Sequence, residues 1–167
     1  GNIVVRVDGT TLIDAATGRK RHSFGGYRSS ISTVLFDTTG GLIYTASYDK
    51  SVRVFDLQRG NMLASAEGDG PALWITQPPD RSGVLATFPA GTINDWNFGR
   101  SADGNTGLHL VATAPLHQRW LSKAKYSPSG EYLATVGRDR LLNVWDRRFG
   151  LVARFPGHAT GVVALDI

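Results

Sequence analysis

One relation constrains this chain more than any other: two stretches match each other at an offset of 90 residues without a gap. Residues 43–56 read IYTASYDKSVRVFD, and residues 133–146 read LATVGRDRLLNVWD. With Asp49 laid on Asp139, Gly40 falls on Gly130, Thr45 on Thr135, Phe55 on Trp145 and Asp56 on Asp146. The match continues upstream, where ISTVLFDTTG from Ile31 lies over LSKAKYSPSG from Leu121. Such an offset is too long for one supersecondary unit and fits two units of roughly 40–45 residues.

A third, degenerate unit therefore belongs between the two, and it is legible. PDRSG from Pro79 stands for the SPSG turn, VLATF from Val84 for YLATV, and GTINDWN from Gly91 for the third run, with Trp96 in the Trp position. The N-terminus carries a partial copy: IVVRV from Ile3, a turn at Asp8-Gly9, and TTLID from Thr10. PGHATGVVALDI from Pro156 opens one more.

Each whole unit holds four short runs rich in β-branched and aromatic residues, bounded by Gly, Pro, Asp or Asn, which is the hairpin signal. The spacing predicts antiparallel strands over residues 31–36, 42–46, 52–55 and 63–66, and again over 121–126, 131–136, 141–145 and 151–155. Glycine supports the same reading: 20 of 167 residues exceeds the usual share of roughly 7%. The fold class is all-β, with about four four-stranded antiparallel units. One such sheet cannot bury both faces alone, so units must stack on their neighbours.

On these residues the chain resembles the WD-repeat β-propeller family. Trp145-Asp146 is the dipeptide that names it, Gly157-His158 matches its opening pair, and His117 stands 22 positions before Asp139, as that pattern requires. The resemblance implies a buried hydrogen-bonded set of His117, Thr135, Asp139 and Trp145. Departures are visible: Tyr27 stands at the His position and Phe55 at the Trp position of the first whole unit, and Ala90 replaces the Asp of the middle one. A closed propeller has four to eight blades. The chain reads as a fragment of one: part of a blade at 1–24, whole blades at about 25–66, 67–114 and 115–155, and the start of the next at 156–167. The stretch 98–108, FGRSADGNTGL, reads as the longest loop, because the Trp96-to-Trp145 spacing is 49 against 41 from Phe55 to Trp96.

Catalysis is not expected. The repeat register accounts for His117 and Asp139, and no nucleophile turn accompanies them. The histidines His22, His109, His117 and His158 lack ligand spacing, and there is no cysteine, so neither a metal site nor a disulfide is expected. No phosphate-binding glycine loop and hence no cofactor site is visible. No run approaches a membrane span, and no leader peptide is visible. The net charge of +4 is spread along the chain, with its densest cluster at residues 19–22; nucleic acid is a weakly supported partner.

That leaves surfaces. The rim where the second strand turns to the third, and where one blade runs into the next, carries Tyr27, Arg28, Tyr48, Gln118, Arg119, Trp120 and Arg138. Aromatics and Arg are the residue types enriched at binding hot spots, so Tyr48, Arg119, Trp120 and Arg138 are the candidate partner site. The resemblance implies an intracellular protein-interaction scaffold, cytoplasmic or nuclear, whose partners are other proteins and the rest of its own propeller. Two alternatives stay open. The run Trp145-Asp146-Arg147-Arg148 resembles the W-D-x-R ending of ubiquitin-ligase substrate receptors, which would make Arg148 an adaptor contact. The net charge would suit a nucleic-acid-associated propeller.

Overall fold

The computed structural model describes residues 3–6, 11–37, 41–80, 82–156 and 158–165. Asp8, Gly9, Gly40 and Gly157, which entered the sequence pattern, lie outside the described residues. The described residues form strands and turns, with no helix; none is therefore long and apolar enough to cross a membrane as a helix.

Four antiparallel sheets follow one another along the chain. Strands β1 (Ile3–Arg6), β2 (Thr11–Asp14) and β3 (Lys20–Ser23) make a three-stranded sheet. Three four-stranded sheets come next. The first has β4 (Ile31–Phe36), β5 (Leu42–Ser47), β6 (Ser51–Asp56) and β7 (Met62–Glu67). The second has β8 (Trp74–Thr76), β9 (Gly83–Thr87), β10 (Thr92–Arg100) and β11 (Thr106–Pro115). The third has β12 (Leu121–Tyr126), β13 (Tyr132–Gly137), β14 (Leu142–Asp146) and β15 (Leu151–Phe155). Each strand pairs with its chain neighbours, so every sheet is a meander, the arrangement short turns dictate.

The core is divided among the seams between sheets. Leu12 and Phe24 meet Ile43 and Phe55 at the first seam. Tyr44, Val52 and Val54 meet Ile75, Val84, Phe88 and Trp96 at the second. Leu85 and Ile93 meet Leu121, Leu133 and Trp145 at the third. Alternation along a strand feeds two seams at once: Val84 and Ala86 face one cluster while Leu85 faces the next. Strands β5, β9 and β13 are thus buried on both faces, and their β-branched and aromatic content suits that place.

A backbone hydrogen bond recurs at the second and third seams and again where the chain runs on from the last sheet. The N–H groups of Ala72, Leu121 and Val162 donate to the carbonyls of Ser47, Phe88 and Gly137, at 3.0, 3.4 and 3.1 Å. These donors hold matching places, each where the chain leaves one sheet and enters the next. Residues 158–165, expected to open a further unit, carry this bond but no strand.

One expectation is corrected. The stretch 98–108 is no long loop but the tip of a β-hairpin: Phe98 pairs with Leu108, Gly99 with Gly107 and Arg100 with Thr106. Only residues 101–105 turn, held by Ser101 and Asn105 on the Asp103 carboxylate and by Gly104 at φ 88°. Phe98 anchors the extension by meeting Tyr44 of the preceding sheet edge-on, with ring centroids 6.4 Å apart.

Candidate functional site

Two constellations stand out, one buried and one on a rim. The buried one begins with the turn from β13 to β14. Asp139 accepts the Leu141 N–H at 3.3 Å, and Arg140 takes φ 69°. The carboxylate oxygens of Asp139 then lie 2.9 and 2.8 Å from His117 Nδ1. His117 Nε2 lies 2.8 Å from Thr135 Oγ1, and the Trp145 indole donates to that same oxygen at 2.7 Å. An indole N–H can only donate and a carboxylate can only accept, so with a neutral imidazole the order is set. Thr135 Oγ1 accepts from Trp145 and donates to His117 Nε2, and His117 Nδ1–H donates to Asp139. His117 is 7% exposed and Thr135 is fully buried, so the chain of bonds leaves none of these polar groups orphaned.

The first whole sheet solves the same problem with different residues. Tyr27 hydrogen-bonds Thr45 at 2.6 Å in place of His117 and Thr135. Arg53, where the last sheet has Asn143, pairs with Asp49 at 3.2 Å and lies 4.1 Å over the Tyr27 ring. Burial pushes the Asp49 carboxyl up. Hydrogen bonds from Ser51, from the Arg28 N–H and from Ser47 outweigh it and hold the group at about 2. Desolvation raises the Tyr27 phenol to about 12 despite its bond to Thr45. Arg53 was not singled out from sequence, although its signal was there: a cation appears beside the Asp where the His is missing.

The middle sheet has Ala90 in place of the Asp and docks through backbone. Leu116 and His117 N–H both donate to the Gly91 carbonyl at 3.0 Å. A Cβ on Gly91 would lie 2.1 Å from the His117 carbonyl oxygen, and its φ is 85°, so glycine is required twice over.

The aspartates that follow the Trp position have a separate duty. Asp56 Oδ1 accepts from Gln58 and Arg59 N–H, each at 2.8 Å. Asp146 Oδ1 accepts from Arg148 and Gly150 N–H, also at 2.8 Å. They cap the turn into the outer strand. Asn97 holds this position in the middle sheet and caps nothing, because β10 runs on past it.

The rim constellation joins three segments. The loop 116–120 entering the last sheet lies over Gly91, the turn at Pro89-Ala90 flanks it, and the turn at Arg138–Arg140 closes the far side. Together they border a cleft of about 530 Å³, which shares Gln118, Arg119 and Arg138 with a second of about 400 Å³ that reaches Arg140. Arg138 N–H donates to the Trp120 carbonyl at 3.0 Å, and its guanidinium lies 4.4 Å from the Trp120 ring centroid. Trp120 is 37% exposed, so it is shared between packing and solvent.

Arg119, Trp120 and Arg138 thus border one cleft. Tyr48 holds the place of Arg138 in the first sheet, where its N–H donates to the Ser30 carbonyl at 3.0 Å; it too is exposed. Arg148 lies elsewhere. The turn from β14 to β15 falls at the other end of the strands, so Arg148 is exposed on the opposite rim. Among the described residues no group of three or more His, Asp or Glu is placed to hold a metal.

The family model described as WD domain, G-beta repeat matches residues 18–56 and 109–146. The first match begins just before β3 and the second within β11, each the outer strand of one sheet, and each runs through the first three strands of the next. The chain is 25% identical over 142 residues to COMPASS component SWD3 of Saccharomyces cerevisiae, covering 80% of this chain and 43% of that one. It is 32% identical over 114 residues to Polyadenylation factor subunit 2 of Candida glabrata, covering 66% and 24%. Target of rapamycin complex subunit wat1 of Schizosaccharomyces pombe is 21% identical over 165 residues, with 74% and 52% covered. The chain therefore spans about half or less of these relatives. Among solved structures, a chain in a crystal structure of the mitotic checkpoint complex superposes with a TM-score of 0.82 at 16% identity, over 96% of this chain and 48% of that chain.

Proposed function

Because this chain is a member of the WD-repeat β-propeller family, we propose that it is a protein-binding scaffold within a larger assembly, acting through the rim that carries Arg119, Trp120, Arg138 and Tyr48. The observation that supports this best is the Arg138 guanidinium stacked on the half-exposed Trp120 ring in an open cleft between two blades. An Arg and a Trp held together supply charge and a large apolar face, and both strengthen binding when desolvated. That relatives are named as components of complexes accords with the reading.

In this reading residues 25–66, 67–114 and 115–155 are whole blades. Residues 1–24 belong to another and 156–167 open the next. His117, Thr135, Asp139 and Trp145 fasten the last blade rather than catalyse, since both ring nitrogens of His117 are engaged. The protein works inside the cell, in cytoplasm or nucleus. The test is affinity capture of the full-length protein with and without Arg119→Ala, Trp120→Ala and Arg138→Ala together. The triple variant should lose its main protein partners with the thermal midpoint nearly unchanged. Intact partner recovery with a large fall in midpoint would make Trp120 a packing residue and end the proposal.

A second reading rests on Arg148, whose exposed place on the opposite rim leaves it free for another partner. Recovery of a ubiquitin-ligase adaptor that depends on Arg148 would favour a substrate receptor.

A further inference from the structure

The cation balance of the first and last blades differs. In the first blade Arg28 is neutralised by Glu67 at 3.3 Å and Arg53 by Asp49 at 3.2 Å. In the last blade Arg119 and Arg138 border two clefts that share them, with Arg140 on one of the two, and among the described residues none of the three is ion-paired to a carboxylate. Among the described residues, the only carboxylate lining these clefts is Asp139. Both its oxygens face His117 Nδ1, and its side chain is 9% exposed. The 90-residue match preserves the residues that build the blade, yet Ser29, Ser30 and Tyr48 hold the places of Arg119, Trp120 and Arg138. Arg140 alone keeps its charge there, as Lys50; the blade can thus be built without Arg119 and Arg138, so packing does not explain those two.

We infer that these two clefts take the carboxylate side chains of an acidic peptide segment, with Arg119, Arg138 and Arg140 as the cationic wall and Trp120 as an apolar seat. The inference rests on the scaffold reading above and names the chemistry of the partner. Guanidinium forks bind carboxylates through paired hydrogen bonds, and Arg138 is already held in place by the Trp120 ring, which reduces the ordering cost of binding. A nucleic-acid backbone needs a longer basic track. Here three arginines gather on the clefts of one blade; the first whole blade offers Lys50 in the place of Arg140, with Arg28 taken up by Glu67, and the middle blade contributes only Pro89 and Ala90 to the wall.

The experiment uses the full-length protein and two labelled probes, hexaglutamate and hexaglutamine, followed by fluorescence anisotropy at about physiological salt. Hexaglutamate should bind at least tenfold more tightly than hexaglutamine. Arg119→Gln with Arg138→Gln should weaken it by about tenfold, the scale of a lost charged hydrogen bond. Arg140→Asn, which tolerates the left-handed turn, should weaken it about threefold, and serves if the double variant does not fold. Equal binding of both probes, no hexaglutamate binding, or insensitivity to these variants overturns the inference. So does tighter binding of oligo-dT that is lost in the same variants, since that makes the cleft a nucleic-acid site. If hexaglutamate fails while the triple alanine variant still loses its protein partners, only the acidic chemistry falls. If that variant keeps its partners, the scaffold reading falls.

Discussion

The four residues His117, Thr135, Asp139 and Trp145 come from four separate segments, and each satisfies another's polar atom. Asp139→Ala removes the partner of His117 Nδ1 and the cap on Leu141. The expected cost is about 1–3 kcal/mol, read from chemical denaturation of the full-length protein; a loss near zero would show that water replaces the carboxylate. Asp95 is the opposite case. Burial, and then the nearby Asp80, raise its carboxyl from 3.8 to about 6. A carboxyl whose folded value is raised holds its proton more tightly in the native state. Stability is therefore undiminished below about 4, falls as pH rises through the interval to about 6, and stays lower above it. Tyr126, whose phenol burial and these two carboxylates push up, shares the cluster with Arg147. Asp95→Asn should raise the thermal midpoint at pH 7.5 by on the order of 3 °C and leave it unchanged at pH 3.5. A gain of equal size at both values would rule out the charge as its cause.

At the scale of strands, the gap-free offset was enough to place β4 to β7 and β12 to β15 within one residue at each end. The reason is physical. Asp and Gly at turn positions are local instructions, carried out by Asp49, Asp56, Asp139 and Asp146 through their own neighbours' N–H groups. The hairpin of β10 and β11 was misread because Gly, Ser, Asp and Asn between 99 and 105 look like a loop. What distinguishes it is two-sided. Asn97 stands where the turn-capping Asp should, so the turn is displaced outward, and Phe98 and Leu108 give the extension an apolar anchor on the preceding blade. Arg53 escaped notice for a related reason. It compensates a missing His, and compensation between two departures is visible only once contact is known. Rim position follows from strand direction: Arg119 and Arg138 border one cleft, and Arg148 lies at the other end of the strands.

The whole molecule is a row of seams. Each blade is buried by the next, and the same inter-blade amide bond recurs at Ala72, Leu121 and Val162. Stability in such a row is a sum of blade and interface contributions between nearest neighbours. The last blade has one covered face and one that no described strand covers. An open cleft beside Leu141, Asn143 and Arg154 marks it, and Leu151, Val152 and Phe155 on its outer strand are about half exposed. Apolar surface of this kind, at the free edge of a sheet, invites pairing with another chain. Expressed by itself, the 167-residue stretch should therefore associate as its concentration rises, seen as a growing sedimentation coefficient. Replacing Leu151 and Val152 with Lys should suppress that association, because charge on an edge strand opposes pairing. In the full-length protein the same replacements test the seam itself. If further blades cover this face, the double variant lowers the thermal midpoint; if the face is bare there too, the midpoint holds.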